Sequence, residues 1–151
     1  NQGGIAYTSA KFDPNVSSLK KKTDAAVTIG LIQTKVSENI LQNTRKTSEK
    51  IEQAAQRGAQ IVCLQELYRT RYFPQQEKVD VKNLAESIPG ESTKLFSELA
   101  KKHNLVIIAP LFEKTSDGKF FNSAVVINSN GEILGTYRKA HIPHDPYFYE
   151  K

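Results

Sequence analysis

The feature that most limits the fold is a strand–helix–strand pattern packed between Ala25 and Gln65, with connections too short for anything but a local crossover. Ala25 to Gln33, AAVTIGLIQ, is a short apolar run rich in β-branched residues and reads as a strand. From about Glu38 to Arg57 the period changes. Ile40, Thr44, Thr47, Ile51 and Ala54 recur at spacings of 4, 3, 4 and 3, which line one face of a helix. Ser37 reads as its N-cap, and Gly58 stands where a left-handed C-terminal residue belongs. Ala59 to Gln65, AQIVCLQ, is a second apolar strand. Two strands joined through a helix lie parallel in one sheet, because the crossover cannot pack back otherwise.

Beyond this unit, the polar and aromatic segment from Tyr68 to about Lys82 reads as a long functional loop. Pro89-Gly90 punctuates the chain before a second helix, about Ser92 to His103, with Leu95, Phe96, Leu99 and Ala100 on its apolar face. Leu105 to Glu113 reads as a buried strand, Asp117-Gly118 as a turn and Phe120 to Asn128 as a strand. Asn130-Gly131 is a hairpin signal, and Glu132 to Arg138 is the return strand. His141 to Lys151, with its prolines and aromatics, reads as a structured loop. The order is β-α-β-α-β-β-β, an α/β domain that passes into a meander.

Apolar residues collect in residues 25–151; residues 1–24 are polar and read as a tail or extension. That stretch lacks the apolar core of a secretory signal, and no run is long enough to span a bilayer. The lone cysteine, Cys63, cannot form an internal disulfide, which points to a cytoplasmic, soluble chain without membrane association. His103, His141 and His144 make no metal-ligand spacing, so no metal or other cofactor is expected. The net charge of +5 comes from interspersed acids and bases, with one dense run, Lys20-Lys21-Lys22, in the tail. A solvated tail accounts for it, and nucleic acid is not an expected partner.

Three residues could carry chemistry. Glu66 directly follows the strand Ile61-Val62-Cys63-Leu64, and ligands of open α/β sheets bind beyond the carboxyl ends of strands. By position alone it serves equally as a general base or as a capping or ion-paired glutamate. Lys139 follows the strand ending at Arg138 and could face an oxyanion, although an ordinary surface lysine reads the same way. Glu150 lies beside Tyr147-Phe148-Tyr149, where it could hold the Lys139 amine or remain a solvated acid. Cys63 is set aside as a nucleophile, because mid-strand in an apolar run it behaves as a small core hydrophobe.

Together these residues form familiar motifs. QIVCLQELY, Gln60 to Tyr68, resembles the first catalytic motif of the nitrilase superfamily of carbon–nitrogen hydrolases, with Glu66 as general base. YRKAHIP, Tyr137 to Pro143, looks like the second, with Lys139 as the catalytic lysine. Phe121-Asn122-Ser123-Ala124 matches the strand before that motif, Asn130-Gly131 its hairpin, and Glu150-Lys151 the start of the segment bearing the family's second glutamate. HIPHDPYFYEK, His141 to Lys151, and CLQELYRTRYF, Cys63 to Phe73, look most like N-carbamoylputrescine amidases; β-ureidopropionases and D-carbamoylases share the plan but differ in these loops.

The resemblance implies the N-terminal part of an α-β-β-α sandwich and a Glu-Lys-Cys hydrolysis of a carbamoyl or amide C–N bond. N-carbamoylputrescine, giving putrescine, CO2 and ammonia, is the implied substrate, which places the reaction in polyamine biosynthesis. No cofactor is implied, and the family assembles into homo-oligomers. The family's cysteine comes after the point where this sequence ends, so the chain alone is expected to be inactive. The absence of methionine fits a processed, trimmed or partial chain, and a non-catalytic fragment that binds a partner half or a ligand is the alternative. A putrescine-type substrate also needs its cationic end recognised. Asp145, in the loop His144-Asp145-Pro146, could supply the opposite charge, and Tyr72 a cation–π face.

Overall fold

The computed structural model describes residues 5–10, 26–76 and 80–142. The elements are β1 (Ile5–Ala10), β2 (Val27–Ile32), α1 (Ile40–Gln56), β3 (Ile61–Leu64), α2 (Glu91–His103), β4 (Val106–Lys114), β5 (Phe120–Ile127) and β6 (Ile133–Arg138), with a 3-10 turn at Phe73–Gln75. One six-stranded sheet carries the strands in chain order. β2, β3 and β4 are parallel, as the crossover argument requires, while β4, β5 and β6 form an antiparallel meander. β1 falls within the stretch read as a tail and adds an antiparallel edge to β2.

Both helices cover the same face of the sheet. Strand side chains alternate between faces, and the row Val62, Ile107, Ile127 stands in register across β3, β4 and β5 with Ala109 and Val125 beside it. All five are fully buried, against Ile51 and Ala54 of α1 and Phe96 and Ala100 of α2. α1 comes so close to β2 that a side chain at position 30 would press on it. A Cβ there would stand 3.0 Å from the Ala54 Cβ and 3.4 Å from the Ala59 Cβ.

The opposite face is apolar too. Leu31, Cys63, Ile108 and Val126 form one cross-strand row, and Ile29, Ile61 and Val106 another. Its members are half-buried or exposed, and among the described residues no element covers them. β6 is exposed along its whole length. Cys63 therefore differs from its expected place: its strand is right, but it belongs to this open face and not to the helix-covered core.

The N-cap of α1 is a correction. Asn39, not Ser37, takes that place, its side chain accepting from the Gln42 N–H at 3.0 Å. The Ser37 hydroxyl accepts the Asn39 N–H at 3.2 Å instead. Asn43, absent from the apolar stripe, is buried while Ile40 is only partly so. Among the described residues no helix is long and apolar enough to cross a membrane.

Candidate active site

Glu66 stands two residues past the end of β3, at the mouth of a tight turn. The next residue, Leu67, is buried and held at φ 49°, a left-handed conformation that non-glycine residues rarely adopt. The turn is fixed from both helices. From α1, Asn43 donates to the Arg69 carbonyl at 2.9 Å. On the α2 side, the Tyr68 hydroxyl meets Ser92 Oγ at 2.6 Å, and the Arg69 guanidinium reaches Glu86 at 3.4 Å and Glu91 at 2.5 Å. The buried Glu86 carboxylate in turn accepts the Ser92 backbone N–H at 2.9 Å, at the positive end of α2. Burial pushes the Tyr68 phenol up to about 12, the Ser92 bond opposing it in part. The backbone that presents Glu66 is thus anchored while its carboxylate stays about half exposed.

Lys139 arrives from the other end of the sheet. Ser123 pairs with Arg138 in the β5–β6 ladder, and one further rung joins the Lys139 N–H to the Asn122 carbonyl at 2.8 Å. The Lys139 amine lies 3.3 Å from Glu66 Oε1, and Asn122 Nδ2 donates to the same oxygen at 2.6 Å. Residues 56 and 73 positions from Glu66 therefore meet on one carboxylate. Tyr72 is half-buried and opens the 3-10 turn Phe73–Gln75 beyond the Glu66 turn. Glu150 and Asp145 lie outside the described residues. No three His, Cys, Asp or Glu side chains gather as a metal site among the described residues.

A second acid–base pair sits beside the first. Arg138 grips Glu113 with Nε at 2.9 Å and Nη2 at 2.6 Å, and Ser123 Oγ donates to Glu113 Oε2 at 2.6 Å. The guanidinium also lies 4.0 Å above the Phe121 ring. Arg138 holds the Glu113 carboxyl below its ordinary range, with Ser123 acting in the same direction and burial against it.

The arrangement is a carboxylate and an ammonium at the carboxyl edge of a mixed sheet, and known proteins share the chain that builds it. The family model for carbon-nitrogen hydrolases matches residues 25–151. The chain belongs to the carbon–nitrogen hydrolase family. An ω-amidase from Xenopus laevis is 38% identical over 118 residues, covering 76% of this chain and 40% of that protein. A citrullinase from Francisella tularensis is 35% identical, covering 84% of this chain and 44% of that protein. An N-carbamoylputrescine amidase from Solanum lycopersicum is 33% identical, covering 83% and 42%. The crystal structure of a carbon–nitrogen hydrolase from Helicobacter pylori G27 superposes with a TM-score of 0.72 at 38% identity, over 78% of this chain and 41% of that one. This carbon–nitrogen hydrolase family chain thus spans about two fifths of the length of such relatives, and the architecture is that of the nitrilase superfamily.

Sequence reasoning gave no role to Asn122, Glu113, Arg138 or Glu86. Asn122 and Arg138 lay inside quoted motifs, so their signal was present. Glu86 and Glu113 offered none, since a glutamate in a polar loop or at a strand end reads as solvated.

Proposed function

We propose that this chain supplies the general base and the oxyanion-binding lysine of an enzyme that hydrolyses a carbamoyl or amide C–N bond, with N-carbamoylputrescine as its first candidate substrate. The observation that supports it is the 3.3 Å approach of the Lys139 amine to Glu66, two motif residues far apart in sequence and adjacent in space. In the proposed reaction Glu66 takes the proton of a cysteine thiol, and the thiolate attacks the carbamoyl carbon. Lys139 stabilises the tetrahedral oxyanion. The C–N bond to the terminal amide nitrogen breaks, and that nitrogen leaves as ammonia with the proton Glu66 returns. Glu66 then deprotonates water for attack on the thioester, the thiol leaves, and the released carbamate decomposes to CO2 and the amine. Glu150 is proposed to hold Lys139.

Cys63 is not the proposed nucleophile. It sits on a strand between Leu31 and Ile108, and burial raises its thiol above the ordinary value. The proposed nucleophile is a cysteine outside this sequence, in a portion whose own sheet would cover the open apolar face. That face equally supports a second reading, in which the chain acts as a binding fragment for such a portion.

Selectivity must come from the amine end, because the carbamoyl group is common to many ureido compounds. Asp145 and Tyr72 are proposed to read that cation. The complete enzyme, assayed for ammonia on N-carbamoylputrescine, citrulline and an uncharged ω-amide, tests the substrate. A kcat/KM highest on the uncharged amide removes the putrescine assignment. Asp145→Asn should lower kcat/KM selectively for the cationic substrate. An equal loss on both makes Asp145 structural.

A further inference from the structure

We propose that Asn122 is the positioning residue of this site: it ties up Oε1 of Glu66 and so assigns proton transfer to Oε2. The proposal rests on the reading of Glu66 as the base.

The geometry is one-sided. Asn122 Nδ2 at 2.6 Å and Lys139 Nζ at 3.3 Å both address Oε1. No hydrogen bond joins Oε2 to any described residue. A carboxylate is acceptor-only, so the Asn122 group facing it must be the amide N–H2. A short bond from a neutral donor to a charged acceptor is stronger than a neutral pair, and it removes the freedom of the carboxylate to rotate about its last bond. The oxygen left over is the one able to take a proton from a thiol or from water.

Asn122 is suited to this by its place in the ladder. Its carbonyl accepts the Lys139 N–H at 2.8 Å, so one residue registers the lysine through its backbone and the glutamate through its side chain. A side-chain substitution touches only the second of these. The strand pairing that carries Lys139 stays in place. Asn122 is half-buried and off the packed core, so truncation leaves the core intact.

The experiment compares Asn122→Ala, Asn122→Asp and Glu66→Gln in the complete enzyme, following kcat and KM from pH 5.5 to 8. Asn122→Ala should lower kcat by about 10- to 100-fold with KM within about threefold, the pattern of a lost transition-state arrangement. In Asn122→Asp two carboxylates face each other and share one proton. When that proton is held, the new side chain donates as the amide did. The activity of Asn122→Asp relative to the parent should therefore rise as pH falls, while the relative activity of Asn122→Ala stays flat. Parallel pH profiles for the two variants would show that the side chain at position 122 does not act on the Glu66 carboxylate, and that result overturns the proposal. The aspartate variant matches the asparagine in size, so it decides the matter even where the alanine variant is unstable. Glu66→Gln separates the two levels. Retained turnover there removes the base assignment itself, whereas loss there with parent-like kcat in Asn122→Ala removes only the positioning role.

Discussion

Two carboxylate–cation pairs meet at the same end of the β5–β6 ladder, and the difference between them is the clearest lesson of the molecule. Arg138 and Ser123 point to the helix-covered side of the sheet, Lys139 and Asn122 to the open side, because neighbours on a strand alternate faces. On the covered side the pair is saturated: Glu113 takes three hydrogen bonds from Arg138 and Ser123 and is buried. Across the sheet the pair is unfinished. Glu66 accepts two donors on one oxygen and stays half exposed. A fully satisfied carboxylate has no capacity left for a substrate; a partly satisfied one on a braced backbone does.

The largest expected effect breaks the comparison at the open side. In the complete enzyme, Glu66→Gln should lower kcat/KM by about 10³-fold or more, since it removes the proposed proton acceptor of both half-reactions. Its folding stability should stay within about 0.5 kcal/mol of the parent, because exposed ion pairs contribute little. Urea titration beside steady-state kinetics checks both halves. A destabilised but active variant would reverse the roles assigned to the two pairs.

The next effect belongs to the covered side. Glu113→Gln should cost about 2 kcal/mol, the cost of leaving the hydrogen-bonded partners of a buried charge poorly matched. The sign with pH follows from the depressed folded-state value. The Glu113 contribution is fully present above the ordinary glutamate range and is lost as pH falls through the folded value. The stability gap between parent and variant, read by urea unfolding, should therefore close on acidification below about pH 4.5. A gap that persists there would mean that shape, not charge, holds this corner.

This contrast also shows what the sequence could and could not disclose. Hydrophobic period located both helices and the strands from β2 to β5 within a few residues, since it reports the face each element buries, while the Asn130-Gly131 hairpin signal located the exposed β6. It did not foresee β1, whose residues lack a clear strand pattern, nor the N-cap, where Ser37 and Asn39 offer the same chemistry two residues apart. The resemblance named Glu66 and Lys139, and their backbones bring them together. The Glu113–Arg138 clamp and the Asn122 contact stayed hidden because both depend on strand register, which single-sequence patterns leave open. Cys63 was placed on the right strand and read as a core hydrophobe, whereas it stands half-buried on the open face.

A smaller effect compares the two faces through glycine. Gly30→Ala should cost about 1 kcal/mol or more, since the new methyl presses on Ala54 and Ala59 where α1 leaves no room. Gly135→Ala on β6, where no described residue lies within 4 Å, should be neutral or stabilise by a few tenths of a kcal/mol by restricting the unfolded chain. Thermal melts of the two single variants check this. A costly Gly135→Ala would show that the open face has a cover.

The smallest effect is expected at Cys63. Its thiol lies on the open face, its cross-strand neighbours are Leu31 and Ile108, and burial disfavours its thiolate. A nucleophilic cysteine needs the reverse, an electropositive surrounding that favours the anion. Cys63→Ala in this chain should therefore change stability by less than about 1 kcal/mol, in the range of removing one partly buried small apolar group. The same substitution should leave the kcat/KM of the complete enzyme within about twofold, roughly 0.4 kcal/mol. The thiol should also react slowly with a disulfide reagent at pH 7 and faster as pH rises toward its elevated value. The unaltered chain, incubated alone with N-carbamoylputrescine, should release no ammonia. Turnover that vanishes in Cys63→Ala would make this cysteine the nucleophile and move the reactive centre from the Glu66 corner to the middle of the open face.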